Sequence, residues 1–172
     1  MKINKDNSKI GIVGGAGPYA GLDCAKKILQ ETLVEKDQDF LPTLLVSTPE
    51  LIEDRTKFLL GESKDNPAYA ILSNIIDLRN MGATIVGIPC NTAHAPTIKD
   101  VFMEKIDKLE CELKVLDMIS ETAIFLKKEC PKVKNVGILS TLGTWEAGFF
   151  PDILGKYGYH VFTLDKSLQE HI

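Results

Sequence analysis

Short apolar segments alternate with segments of helical periodicity along most of this chain, and this alternation constrains the fold more than any other feature. Each apolar run contains five to seven residues, which is a usual length for a buried strand. The predicted strands lie at residues 9–13, 43–47, 83–88, 113–119, 134–139 and 159–164. Strands that alternate with helices form a parallel sheet with helices on its faces. The sequence therefore predicts an α/β fold, in which ligands gather beyond the carboxyl ends of the strands.

The predicted helices follow from apolar spacing and from residues that begin or end helices. Helical spacing covers residues 19–35, 54–60, 96–109 and 120–129. The segment from Asn66 to Gly82 has the clearest limits, because Asn66 can cap a helix, Pro67 suits a first turn and Gly82 follows the last apolar position.

Two segments of the chain resemble each other at a constant offset of 126 residues. Residues 10–17 read IGIVGGAG and residues 136–143 read VGILSTLG, and an aromatic residue follows each segment. Self-similarity at a fixed offset indicates two related halves. The predicted organisation is an N-terminal α/β domain over residues 1–112 and a partial second α/β domain over residues 113–172.

Composition excludes several classes of function. The 172 residues carry a net charge of −4 with no basic cluster, which argues against nucleic-acid binding. No apolar run approaches ~18 residues, and the N-terminus lacks an apolar signal segment, so no membrane span or secretion is expected. The four cysteines show no paired spacing and only three histidines accompany them, which argues against a metal site. Reduced thiols in the cytoplasm are predicted.

Cys90 is the cysteine with chemical interest. It follows the apolar run ATIVGI and stands in the segment GIPCNTAHAP, directly before Asn91 and Thr92. A free cysteine is often only a small packing residue, and that interpretation fits Cys24, Cys111 and Cys130. The other interpretation, a reactive thiol, fits Cys90, because it stands at the carboxyl end of a buried strand beside amide and hydroxyl groups.

The segment GAGPYA at residues 15–20 fits the G-x-G-x-x-A pattern of dinucleotide-binding turns. The acidic residue expected at the end of the next strand is missing, since that strand ends in Ser-Thr-Pro and Glu50 comes too late. A tight turn that opens a helix N-terminus, where backbone N–H groups can meet a carboxylate, explains the glycines equally well.

Four further residues can be interpreted either as functional groups or as ordinary structural ones. Arg55, at a predicted helix start, is either solvated surface or a bidentate clamp for a substrate carboxylate. Thr141 and Thr144 are either ordinary turn residues or hydroxyl donors to a bound carboxylate. His94, four residues after Cys90, suggests a Cys–His pair, but Pro96 argues against a continuous helix there, which favours a structural histidine.

The motifs together resemble the pyridoxal-phosphate-independent aspartate/glutamate racemases, and the aspartate racemase branch in particular. The matching segments are IGIVGGAGP (10–18), EDRTKFLLG (53–61), GATIVGIPCNTAHA (82–95) and VGILSTLGT (136–144), in the order and spacing of the family.

This resemblance implies two pseudosymmetric α/β domains with a substrate cleft between them, and two cysteines that act on opposite faces of Cα without metal or cofactor. Carried over by position, Cys90 is the first catalytic thiol and Arg55 holds the side-chain carboxylate of a small dicarboxylic amino acid. The positions that correspond to substrate-lining residues are Asn91, Thr92, Ala93 and Thr141. The family's second cysteine and a substrate-side lysine would lie beyond residue 172, and a cytoplasmic homodimer is expected.

Two other functions stay open from the sequence. Related folds with a single working cysteine protonate a carbanion after decarboxylation, so a lyase is one alternative. A non-catalytic module that binds a dicarboxylate is the other.

Overall fold

The computed structural model of the chain describes residues 8–109 and 112–171. The strands are β1 Lys9–Val13, β2 Thr43–Val46, β3 Ala83–Gly87, β4 Lys114–Val115, β5 Asn135–Ile138 and β6 His160–Thr163. The helices are α1 Pro18–Gln30, α2 Arg55–Leu59, α3 Ala68–Asn80, α4 Pro96–Asp107, α5 Met118–Glu129, α6 Leu142–Ala147, α7 Phe149–Lys156 and α8 Lys166–Gln169. Within the described residues, no helix is long and apolar enough to cross a membrane.

The strands form two parallel sheets, which confirms the predicted α/β fold. The first sheet has the order β2-β1-β3-β4 and the second pairs β5 with β6. In the first sheet Ile12 lies opposite Leu45 on one side and Gly87 on the other, so three strands end at the same edge. This common edge collects the loops that follow β1, β2 and β3.

The core of the first half lies between the sheet and helix α3. Ile71, Ile75 and Leu78 are fully buried on this helix, each stabilising the fold by about 1.5–3 kcal/mol relative to an exposed side chain. Gly11 allows the close approach of helix and sheet, because a Cβ there would lie 3.0 Å from Val86 and 3.2 Å from the side chain of Leu78.

Asn66 caps the N-terminus of helix α3, but it lies one residue further from the first helical residue than predicted. Its Oδ1 accepts a hydrogen bond from the backbone N–H of Ala68 at 2.9 Å, and its Nδ2 donates to the carbonyl of Thr97 at 3.0 Å. The helix therefore begins one residue later than predicted, and Asn66 also ties its start to α4.

The predicted strand over residues 113–119 forms only at its beginning. Asp117 ends it by capping α5, because its Oδ1 accepts hydrogen bonds from the backbone N–H groups of Ile119 and Ser120, both at 3.0 Å. The short strand β4 pairs with β3, with Val115 opposite Val86. A division of the chain at residue 112 stays a prediction, and this pairing favours a boundary after β4.

Candidate active site

The loops after β1 and β2 are packed tightly at the common sheet edge. The backbone N–H of Gly14 donates to the carbonyl of Val46 at 2.7 Å. A Cβ at Gly15 would lie only 2.8 Å from the backbone nitrogen of Thr48, so glycine is required for this contact. Thr48 in turn shares hydrogen bonds of 2.9 and 3.0 Å with the buried amide of Asn74. The glycine-rich turn thus serves to bring two loops together.

Cys90 lies three residues beyond the end of β3 and is half-buried. Its backbone N–H donates to the carbonyl of Ile88 at 2.8 Å, which closes a three-residue turn around Pro89. Residues Asn91–His94 then form a single 3₁₀ turn, and α4 begins only at Pro96. The expectation that Pro96 prevents a continuous helix across this segment is confirmed.

Arg55 is the first residue of α2 and reaches toward the loop after β1. The N-terminus of this helix is capped by Asp54, whose Oδ1 accepts from the backbone N–H of Lys57 at 3.0 Å. The guanidinium donates through Nη2 to the carbonyl of Ala16 and through Nη1 to that of Glu53, at 2.5 and 3.4 Å. Its buried Nε has no hydrogen-bond partner among the described residues. Nη1 and Nη2 each carry a second N–H group, so donor capacity remains at the edge that carries Cys90.

The three residues predicted to line a substrate next to Cys90 differ in their surroundings. Asn91 is exposed, whereas the side chains of Thr92 and Ala93 are buried. Thr92 Oγ1 lies 2.9 Å from Thr144 Oγ1, so its hydroxyl is engaged by the second half of the chain. Of these three side chains, that of Asn91 is the one open to a ligand.

A chain of threonine hydroxyls joins the turn after β5 to the turn after β3. Thr141 is exposed and its Oγ1 donates to Thr144 Oγ1 at 3.3 Å, and Thr144 itself is buried against Thr92. The predicted site residue Thr141 therefore reaches the first half through Thr144. The short motif STLGT suggested both threonines, but only the structure identifies which of them makes the direct contact.

Gly143 brings α6 against α2, the helix that begins with Arg55. A Cβ at this position would lie 2.8 Å from Thr56 Cα, so Gly143→Ala forces backbone atoms apart and is expected to lower the free energy of unfolding by about 1–3 kcal/mol. Gly155→Ala is the matched control in α7, where a Cβ meets nothing within 4 Å, and it is expected to raise stability by about 0.5–1 kcal/mol. Urea titration measures both; equal effects of the two substitutions would contradict the tight contact.

His94 is fully buried next to the predicted thiol. Its Nε2 lies 3.0 Å from the carbonyl of Ile88, whereas Nδ1 has no hydrogen-bond partner among the described residues. Burial lowers the pKa of His94 below its ordinary value, against a smaller opposing effect of the Ile88 hydrogen bond. The neutral ring that donates from Nε2 satisfies the carbonyl. No hydrogen bond joins either ring nitrogen to the thiol of Cys90 in the described part of the chain.

The lowered pKa of His94 predicts a pH dependence of stability. The unfolded chain binds a proton at this residue near pH 6.5 and the folded chain only at lower pH, so acidification through this window favours the unfolded state, by at most about 1.4 kcal/mol per pH unit. Urea unfolding of the wild type and His94→Gln between pH 5 and 8 isolates this contribution. A stability difference between the two proteins that does not change with pH would contradict it.

The other titratable groups include one thiol near the Cys90 segment, because Cys24 lines a cavity with Pro89 and Asn91. Within residues 8–109 and 112–171, no three histidine, cysteine, aspartate or glutamate side chains come together in a cluster that could hold a metal ion. Cys24 lies in α1 and Cys130 follows the end of α5. Cys111 lies outside the described residues.

The profile of the Asp/Glu/hydantoin racemase family matches residues 13–172. Among solved structures, the chain is similar to the Picrophilus torridus aspartate racemase, with 32% identity and a TM-score of 0.75 over 95% of this chain and 66% of that one. It also has the fold of an aspartate racemase homologue from Pyrococcus horikoshii OT3, with 22% identity, a TM-score of 0.69, and coverage of 95% of this chain and 67% of that one.

The fold extends to a glutamate racemase from Francisella tularensis in complex with D-glutamate, with 19% identity and a TM-score of 0.60. That match covers 92% of this chain and 52% of the other. The chain thus spans about half to two thirds of the length of the racemases it matches. With the family profile matched over nearly all of its residues, the chain belongs to the Asp/Glu/hydantoin racemase family.

Proposed function

We propose that this chain supplies one wall of the active site of a cofactor-independent racemase that interconverts D- and L-aspartate. The observation that carries this proposal is the placement of Cys90 and Arg55 at one sheet edge, where the half-buried guanidinium has more N–H groups than the two carbonyls it meets. The 32% identity with the Picrophilus torridus aspartate racemase supports aspartate as the substrate. Glutamate is the second candidate, since the fold is shared with a glutamate racemase.

The proposed reaction is proton transfer at Cα by two thiols on opposite faces. The thiolate of Cys90 removes or returns the proton on one face, and a second acid delivers it on the other. Because the Cα proton is only weakly acidic, the carbanion needs fixed hydrogen-bond donors at the α-carboxylate, which takes up its charge. Asn91 and the turn at Thr141 supply such donors, whereas Arg55 binds the side-chain carboxylate and orients the substrate. We place the second thiol beyond residue 172, in line with the resemblance.

The setting of the enzyme is part of the same proposal. Cys24, Cys90 and Cys130 are free thiols, in keeping with a reducing compartment such as the cytoplasm. A homodimer is supported by the family resemblance alone.

The proposal predicts that Cys90 is the most reactive thiol and that substrate protects it. Iodoacetamide should label Cys90 before Cys24, because burial and the charge of Asp23 raise the pKa of Cys24. Aspartate at about ten times its Kd should slow labelling of Cys90 about tenfold. Peptide mapping after timed alkylation measures both effects, with Cys130 as the internal reference.

Labelling of Cys24, Cys111 or Cys130 ahead of Cys90 would contradict the catalytic assignment. The non-catalytic binding module would be favoured if aspartate protects Cys90 and raises the melting temperature of both the wild type and Cys90→Ser, while no hydrogen exchange occurs at Cα. Carbon dioxide release from a malonate substrate would favour the lyase.

A further inference from the structure

The carbonyl of Ile88 accepts two hydrogen bonds at the point where the chain leaves β3. One comes from the backbone N–H of Cys90 at 2.8 Å and the other from Nε2 of His94 at 3.0 Å. Ile88 and His94 are only 2% and 1% exposed, so water does not compete for this carbonyl. A carbonyl oxygen has two lone pairs, and both are used here.

The turn that carries Cys90 has little support of its own. It encloses a single residue, Pro89, whose fixed φ suits an inverse γ-turn, and one hydrogen bond closes it, from the N–H of Cys90 to the carbonyl of Ile88. Among the described residues, His94 is the one whose side chain bonds to this turn. The position of the Cys90 backbone therefore depends on the hydrogen bond that the His94 imidazole makes to this turn.

The local fold of the next residues brings the ring back to the turn. Residues Asn91–His94 form a 3₁₀ turn that ends at Ala95, which is held extended by Pro96. Lys99 of α4 and Asp117 at the start of α5 face the ring, and their side chains pair with each other at 2.6 Å. His94 is thus fixed by elements on both sides.

The same geometry separates His94 from a proton-transfer role. Nε2 is committed to a backbone carbonyl, and neither ring nitrogen bonds to the Cys90 thiol. Burial favours the neutral ring and thus works against an imidazolium partner for a thiolate.

We propose that His94 is a positioning residue for Cys90, acting through the shared Ile88 carbonyl. The Nε2–H group fixes the orientation of that carbonyl, the carbonyl fixes the Cys90 backbone N–H, and the thiol is thereby held at the strand end. A displacement of about 1 Å at a reacting group costs on the order of 10² in rate. The proposal rests on Cys90 being the acting thiol of the proposed racemase.

The direct test is hydrogen exchange of the Cys90 amide, measured by NMR on the full 172-residue chain without substrate. His94→Leu removes the donor and should speed this exchange at least about tenfold, whereas His94→Gln keeps a neutral N–H donor and should stay within about threefold of the wild type. Gln169→Leu is the matched control, since Gln169 is also buried and donates to a carbonyl after a strand, that of Ser140, at 2.7 Å. It should leave the Cys90 amide unchanged.

Rescue by glutamine distinguishes positioning from proton transfer. Hydrogen exchange at Cα of aspartate should survive in His94→Gln and fall in His94→Leu. If the wild type does not act on aspartate at all, the proposed function fails, and the exchange rate of the Cys90 amide still tests the positioning role of His94. The proposal would be overturned by an unchanged exchange rate of the Cys90 amide in His94→Leu. It would also be overturned if Gln169→Leu raised that rate as much as His94→Leu does. If His94→Leu does not fold, ¹⁵N spectra of the wild-type ring decide: the Nε2–H tautomer from pH 6 to 8 supports the proposal, and an imidazolium or Nδ1–H tautomer overturns it.

Discussion

Replacing Cys90 by serine is expected to lower proton removal from one enantiomer of aspartate by about 10²–10⁴-fold, the usual contribution of a positioned acid–base group. A serine hydroxyl fits the same half-buried place after β3 but is far too weak an acid to supply an anion near neutral pH. The affected enantiomer is the one whose Cα hydrogen faces Cys90. Loss of the Cα proton signal in deuterium oxide, followed by proton NMR, measures the rate.

Cys130→Ser is the matched control for this experiment. It makes the same chemical change at a thiol that follows the end of α5, outside the proposed site. Its exchange rate should equal that of the wild type. A loss with Cys130→Ser as large as that with Cys90→Ser would show that general disruption, and not the chemistry of Cys90, causes the effect.

Arg55→Ala should weaken aspartate binding by about 2–5 kcal/mol, because truncation leaves a substrate carboxylate without its charged partner. The side chain also donates to the carbonyls of Ala16 and Glu53, so its removal loosens the contact between two loops of the site. Arg55→Lys keeps the charge but loses the planar fork, and an intermediate affinity is expected. Isothermal titration calorimetry measures all three proteins.

Arg79→Ala is the corresponding control, since it truncates the same residue type in the last turn of α3, whereas Arg55 begins a helix that follows β2. Its affinity for aspartate should match that of the wild type. An Arg55→Ala protein that binds aspartate as tightly as Arg79→Ala would eliminate the carboxylate clamp.

The elements that sequence predicts well are those defined by local pattern. Each of the six apolar runs contains a strand in the described residues. Strands that alternate with amphipathic helices bury their apolar side chains in a parallel sheet covered by those helices. The position of Cys90 at a strand end follows in the same way from ATIVGI and the adjacent Pro89. Pro96 marks the start of α4 because proline suits the first turn of a helix.

The contacts that build the site depend on residues far apart in the chain. Thr92 and Thr144 are 52 positions apart, and Arg55 and Ala16 are 39 apart. No periodicity encodes such pairs, since they arise from how loops meet in space, within the first sheet for Arg55 and Ala16 and between the two sheets for Thr92 and Thr144. The short form of β4 was also not predictable from hydrophobicity, because the capping bonds of Asp117 end the strand within an apolar run.

The measurement that tests the central claim most directly compares this chain with a form extended beyond residue 172 by the corresponding segment of the Picrophilus torridus aspartate racemase. D- and L-aspartate are incubated separately in deuterium oxide, with proton NMR for exchange at Cα and chiral chromatography for inversion. One thiol can remove and return a proton on one face only, so the 172-residue chain should at most introduce deuterium into one enantiomer with retention. The extended form should racemise, and Cys90→Ser should stop it. Racemisation by the 172-residue chain at the rate of the extended form, or racemisation that survives Cys90→Ser, would contradict the assignment of Cys90 as one of two opposed thiols.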